Sequence, residues 1–401
     1  MAGPSDSRPL AGDPTEAGRG AEVVVIGGGV TGLSTAWWLA RQGVSVLVLE
    51  RGIVGWEASG RNGGGCTHYA SPLFREEQRL WPQLDELLGY PTEHRPFRIG
   101  VAMDENGLKR YRRMAQIAAE DGFSATMLDP KALREAAPLV TDRAAGGVFF
   151  HFGGHANPQR TVQAYAWAIE DLGGRILQHT EVLGFRREGA RVAEVLTSRG
   201  AFGCQTLVVA AGPGTGPLLD QLGTFLPLAP GRAEMIVTEP LPPMPHGGVD
   251  GNGLYGRQTL RGNLAYGGGP HEWLEEAPPP DRPATPLLRN LARRVAELFP
   301  RAAHARVIRS WAGIIENTPD GRPVLDVLED PPNVVVATMS SVGFGLSPAS
   351  GRAVAELVLH GACQFADLGT LRLARFKDVP RDWRERCGWV PPVPHPIGEL
   401  A

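Results

Sequence analysis

What the 401-residue chain lacks narrows its class first. It has four cysteines, Cys66, Cys204, Cys363 and Cys387, and no CxxC pair among them. Such scattered thiols fit neither a zinc site nor an iron–sulfur cluster, so reduced cysteines and no bound metal are expected. No apolar run reaches the roughly 20 residues of a membrane helix, and no signal-peptide-like apolar stretch stands near the N-terminus. A cytoplasmic protein without membrane insertion is the expectation. A formal net charge of -3 gives no global attraction to nucleic acid or to an anionic membrane. Residues 1–20 hold almost no large apolar side chain, too little burial to offset the entropy of ordering, and are expected to be disordered.

The rest has a globular composition, 42% hydrophobic, and a length that favours two interleaved domains over one core. Glu22–Ile26 (EVVVI) reads as a strand buried on both faces. A glycine turn follows, then a helix from Thr31 to Gln42 stopped by Gly43, and a second strand at Val44–Leu49, completing a βαβ unit. From Tyr69 to Pro138 charged helical segments surround a strand at Phe97–Met103 and read as an insertion. Asn157 and Pro158 are placed to cap and open a helix running to Gly173. Thr206–Ala211 and Asn333–Thr338 are further buried strands. Pro227–Gly269 alternates strand-like runs with glycine turns, the pattern of an antiparallel sheet. A helix near Leu287–Phe299 precedes the last strand, and a helix Pro348–Leu359 follows it, with Ser347 as its cap and Pro348 at its first position.

Gly27, Gly29 and Gly32 form G-x-G-x-x-G between the first strand and helix, where backbone N–H groups and the helix N-terminus can reach a pyrophosphate. Glu50 ends the second strand, eighteen residues beyond Gly32, where a carboxylate can bind ribose hydroxyls; Arg51 follows it. This motif serves NAD and FAD alike. Two later segments favour FAD. Ala58-Ser-Gly-Arg-Asn-Gly-Gly-Gly65 is a polar loop suited to the pyrophosphate and ribityl chain through Ser59, Gly60, Arg61, Asn62, Gly64 and Gly65. The strand and turn Val334–Leu346 lead into a helix N-terminus whose partial positive charge suits a reduced flavin.

Together VVVIGGGVTGLSTAWWLA, ASGRNGGG, VVAAGPGT, WAGIIENTPDGRPVL and VGFGLSPASGRAVAEL resemble the FAD-dependent amine and amino-acid oxidoreductases related to D-amino-acid, glycine and sarcosine oxidases. The sarcosine oxidase β-subunit type is the nearest in look, from Ala21 to Gly361. The resemblance implies a Rossmann-like α/β FAD-binding domain (21–95, 151–225 and 320–370) interleaved with an α+β substrate domain of mixed or antiparallel sheet (96–150 and 226–319), then a tail, 371–401. It adds Val182, Ala211, Gly212, Gly313, Gly343, Phe344, Gly345 and Leu346 to the expected FAD contacts. It also implies oxidation of a C–N bond, with hydride passing to flavin N5 and the resulting imine hydrolysed.

Departures from the family pattern refine these expectations. Ile315 stands where glycine and D-amino-acid oxidases carry a carboxylate-binding arginine. Gly313 replaces the flavin-tethering cysteine of monomeric sarcosine oxidase, so non-covalent FAD is expected. Gly345 and Ala265 replace its basic residue and its oxygen-activating lysine. Substrate anchoring then falls to His68, Tyr255 and Arg257, while the sequence does not rank His151, His155 and His271. The substrate expected is a secondary amine or amino acid. Alternatives are a glycine-oxidising subunit of the hydrogen cyanide synthase type, a D-amino-acid dehydrogenase, or a flavin-holding subunit without catalysis. A hetero-oligomer with electron-relay subunits is implied by resemblance alone.

Overall fold

The computed structural model describes residues 20–67, 71–269, 271–274 and 285–386. The expectations for residues 1–19, for His68 and for 387–401 lie outside them. Strand β1 (Ala21–Ile26), helix α1 (Val30–Ala40) and strand β2 (Val46–Leu49) form the βαβ unit. All four residues of β2 and the last four of β1 are buried, which is why both read as uninterrupted apolar runs.

β1 lies at the centre of a sheet ordered Val324–Val327, Val334–Thr338, Gly200–Val209, β1, β2, Arg175–Leu177. Neighbours pair in parallel except for the first strand, which runs antiparallel at the edge. One face carries α1 and the helices Pro158–Asp171 and Gly343–His360, packed through Leu33, Trp37, Tyr165 and Ala353. The other face is covered by Phe202, Leu219, Leu222 and Phe376.

The second sheet is mostly antiparallel. Its central strands are Ala229–Pro240, Asn263–Gly268, Leu254–Gln258, Val249–Gly251, Arg95–Ala102 and Gly146–His155, with Val307–Asn317 paired along Ala229–Pro240. The expected boundary between 150 and 151 therefore cuts a strand: residues through His155 hydrogen-bond into this sheet. Residues 371–386 are also more than a tail. Leu371, Phe376 and Trp383 are buried, and Arg375 ion-pairs with Asp320 at 2.8 Å. Among the described residues, no helix is long and apolar enough to cross a membrane, and no cluster of three or more His, Cys, Asp or Glu could hold a metal ion.

Candidate active site

The carboxyl ends of the central parallel strands open into a cleft of about 760 Å³. Ligands of doubly wound sheets bind at such an edge. The turn from β1 to α1 is built for close approach. Gly27 has φ +110°, and a Cβ on it would stand 2.4 Å from the Ala210 carbonyl oxygen. A Cβ on Gly32 would stand 2.1 Å from the Gly27 carbonyl oxygen, so Gly32 seats α1 on the turn and does not face the cleft. Gly29 lies on the cleft wall, and the first-turn N–H groups of α1 have no partner within the helix. Ser59 Oγ accepts from one of them, Val30 N, at 2.9 Å.

Glu50 holds the turn from the side. Its two carboxylate oxygens accept from Gly28 N and Gly52 N, each at 2.7 Å. Each oxygen retains a lone pair for a sugar hydroxyl. The side chain of Arg51 is largely exposed and pairs with Glu57 at 3.3 Å, although the residue borders the cleft. Val182, Ala211 and Gly212 are further parts of the cleft wall. This glycine cradle at a helix N-terminus, with a carboxylate at the β2 end, fits the diphosphate and ribose of a dinucleotide.

The segment 58–65, expected as a polar loop, starts as one helical turn, Ala58–Arg61. Asn62 closes it: its Nδ2 donates to the Ala58 and Ser59 carbonyls at 3.0 and 2.8 Å, and its Oδ1 accepts from Gly64 N at 2.8 Å. Gly60 packs against the Gly55 carbonyl. The segment is thus held by its own hydrogen bonds, which presents Arg61, Asn62, Gly64 and Gly65 to a second, smaller cavity beside the cleft.

The C-terminal helix corrects another expectation. It begins at Gly343, not Pro348, so Ser347 is no cap and Pro348 lies inside the helix. Its early carbonyls are engaged by side chains from elsewhere: Trp81 Nε1 donates to Gly345 O at 2.6 Å, Ser34 Oγ to Ser347 O at 2.7 Å, and Trp38 Nε1 to Pro348 O at 2.9 Å. These tertiary bonds hold a turn that local propensity would not start. In consequence the N-terminal amides belong to Gly343, Phe344 and Gly345, which line the cavities, whereas Leu346 is fully buried in the core.

The smaller cavity, about 130 Å³, lies where the two sheets meet. At ~10–15 Å³ per water-sized group it has room for on the order of ten heavy atoms. Phe344 and Gly345 come from the Gly343–His360 helix; Gly313, Met235 and Tyr255 belong to the second sheet and His271 to the loop beyond it. Burial pushes the Tyr255 phenol up to about 12 and holds His271 down to about 4, so both are neutral at physiological pH. Arg98 also reaches the wall, but its charge is cancelled. It forms a bidentate pair with Asp250, one arm at 2.8 Å, and donates to the Gly154 and Gly256 carbonyls. Both partners are almost fully buried.

Arg257 does not line the cavity. It is buried behind it, where Nη1 donates to the Gly63 carbonyl at 2.9 Å, tying the 58–65 segment to the second sheet. Ala265 is likewise buried and off the wall. His151 bonds Thr126 at 2.8 Å on the exposed side of its strand, and His155 is buried at the junction of the sheets. Sequence reasoning missed Arg98 and Asp250, which meet across 152 residues without any local motif, and could not select His271 among the histidines.

A mononucleotide-wound sheet, a diphosphate cradle and a second sheet roofing a small cavity define a two-domain flavoprotein of the dinucleotide-binding class. The family profile for FAD dependent oxidoreductases (DAO) matches residues 22–357, and the chain belongs to that family. It is an FAD-dependent enzyme. Similar proteins include the sarcosine oxidase subunit beta of Rhodobacter capsulatus, 28% identical over 89% of this chain and 89% of the relative. Glycine oxidase of Pseudomonas putida is 29% identical over 76% of this chain and 85% of its own length. Among solved structures, L-proline dehydrogenase from P. horikoshii superposes with a TM-score of 0.83 at 24% identity, covering 90% of this chain and 99% of that one.

Proposed function

We propose that this enzyme oxidises the C–N bond of a small secondary amine or N-substituted amino acid, as one subunit of a larger assembly. The observation that carries the reading is the small cavity between the flavin-end glycines and the neutral pair Tyr255 and His271. A cavity of that size excludes peptides and bulky polyamines. The names of the relatives, a sarcosine oxidase subunit and glycine oxidases, support both the substrate class and the assembly.

FAD, when bound, supplies the hydride acceptor. The chain must deliver the substrate as a neutral amine, because an ammonium has no lone pair to support hydride loss. His271, neutral and on the wall, accepts a hydrogen bond from the N–H of the neutral amine and so orients its lone pair. Arg61, which lines that wall and donates to the Ala312 carbonyl at 2.8 Å, attracts a substrate carboxylate. Met235 and Ile315 exclude water. Reduced enzyme passes electrons to a partner or dye faster than to oxygen, a reading supported by the likeness to subunits of a larger oxidase.

The test is anaerobic mixing of the holoenzyme with sarcosine, proline analogues, glycine, opines and D-amino acids, followed by reoxidation with air or a quinone dye. Bleaching of the visible flavin band by a secondary amine is expected, with His271→Gln slowing it up to roughly tenfold at unchanged FAD affinity. If dithionite bleaches the flavin and no amine does, the chain is a flavin-holding subunit without its own substrate site. Fast reoxidation by air with stoichiometric peroxide would make it an oxidase.

A further inference from the structure

A buried carboxyl group that plays no part in the reading above lies on the wall of the cofactor cleft. Glu316, near the end of the Val307–Asn317 strand, is 8% exposed. Its Oε1 accepts from Thr338 Oγ1 at 2.9 Å and from Met339 N at 3.1 Å. Thr338 ends the central Val334–Thr338 strand, so the carboxyl is clamped at the edge where dinucleotides lie. Its Oε2 is on the Gly212 side, 3.8 Å from where a Cβ on that glycine would stand, and both residues contribute to the cleft wall. A carboxyl placed between two strand ends at a polar ligand's site has a hydrogen-bonding use there. The backbone N–H groups of Glu316 and Ser340 also favour its charged form, so the carboxyl is held in place by local donors while its Gly212 side faces the cleft.

The strand order says which part of the ligand it meets. Val334–Thr338 and β2 are separated by Gly200–Val209 and β1. Three interstrand spacings of ~4.8 Å place Glu316 about 14 Å across the cleft from the Glu50 side. An FAD whose adenosine ribose sits at Glu50 therefore brings its flavin half to Glu316. We propose that Glu316 is a cofactor-contacting residue that hydrogen-bonds the hydroxyl-bearing ribityl chain of FAD. Burial pushes its carboxyl above the ordinary range, and in either protonation state its oxygens can accept from a ribityl hydroxyl. The inference rests on the cofactor and is independent of the substrate proposed above.

The experiment compares FAD with ADP, which carries only the adenosine half, as ligands of the apoprotein. Glu316→Ala is expected to raise the FAD dissociation constant about tenfold, one lost hydrogen bond of about 1.4 kcal/mol, with ADP affinity unchanged. An FAD affinity within twofold of wild type, or equal weakening of FAD and ADP, would overturn the proposal. Glu316→Gln keeps an acceptor for Thr338 and Met339 and so retains the fold if Glu316→Ala does not. In that variant FAD affinity should stay within about threefold, ADP binding should be unchanged, and the visible circular dichroism of bound flavin should change. A flavin spectrum identical to wild type in Glu316→Gln would equally overturn it.

Discussion

Substituting Gly32 by valine separates the two devices that shape the diphosphate cradle. Its Cβ would stand 2.1 Å from the Gly27 carbonyl oxygen and 3.3 Å from Val25 Cγ1. The first distance is about 1 Å inside normal contact, and both neighbours belong to the packed β1 strand and turn. Relief requires α1 to lift, yet Leu33, Ala36, Trp37 and Leu39 pin it in the core. Overpacking of this kind costs about 1–3 kcal/mol in the apoprotein. Displacing α1 also misplaces its first-turn amides. At about 1.5–3 kcal/mol for each hydrogen bond to a charged group, losing two gives about 3–6 kcal/mol, or roughly 10²–10⁴-fold in FAD affinity. Glu50→Ala, by contrast, removes a side chain that braces Gly28 N and Gly52 N without displacing the helix, and should weaken FAD roughly 10–100-fold. Titration of each apoprotein by quenching of FAD fluorescence, with far-ultraviolet dichroism as the check on folding, reads both. Gly32→Val binding FAD within tenfold of wild type, or Glu50→Ala costing as much as Gly32→Val, would refute the assignment of roles.

Three other outcomes are expected. Acid or heat denaturation should release FAD into the supernatant, because Gly313 offers no thiol; flavin remaining with the polypeptide would show a covalent link. Stability should be full above about pH 6.5 and fall as pH drops below it, since burial holds His94 down to about 4 and His155 well below the ordinary imidazole value, so the unfolded chain takes up protons that the folded one refuses. The His94 contribution alone is about 2 kcal/mol lost by pH 5, and chemical denaturation at pH 7 and 5 should show it; a His94→Gln variant with undiminished acid sensitivity would assign the effect elsewhere. Asp250→Ala leaves Arg98 buried without its counter-charge and should cost about 3–5 kcal/mol, measured by urea unfolding, and a loss below 1 kcal/mol would contradict the buried geometry of the pair.

The sequence by itself determined the features whose causes are local. The β1–α1–β2 unit is legible because a strand buried on both faces, a turn needing glycine and a helix behind it each demand particular residues over some thirty positions. The Asn157 cap with Pro158 behind it was legible for the same reason, and the structure shows Asn157 accepting from Arg160 N. Tertiary structure decided whatever depended on partners far along the chain. The C-terminal helix starts at Gly343 because Trp81, Ser34 and Trp38 hold its early carbonyls, against the local signal of Ser347 and Pro348. Arg257 became a strut for Gly63, while Arg98 and Asp250 closed into a buried pair and His271 came to the cavity wall. Glu316 reached the cofactor cleft because its strand ends beside Thr338, a neighbour fixed by the meeting of the two sheets. Periodicity reports which face of an element is buried; it carries no information about which distant side chain that face will meet.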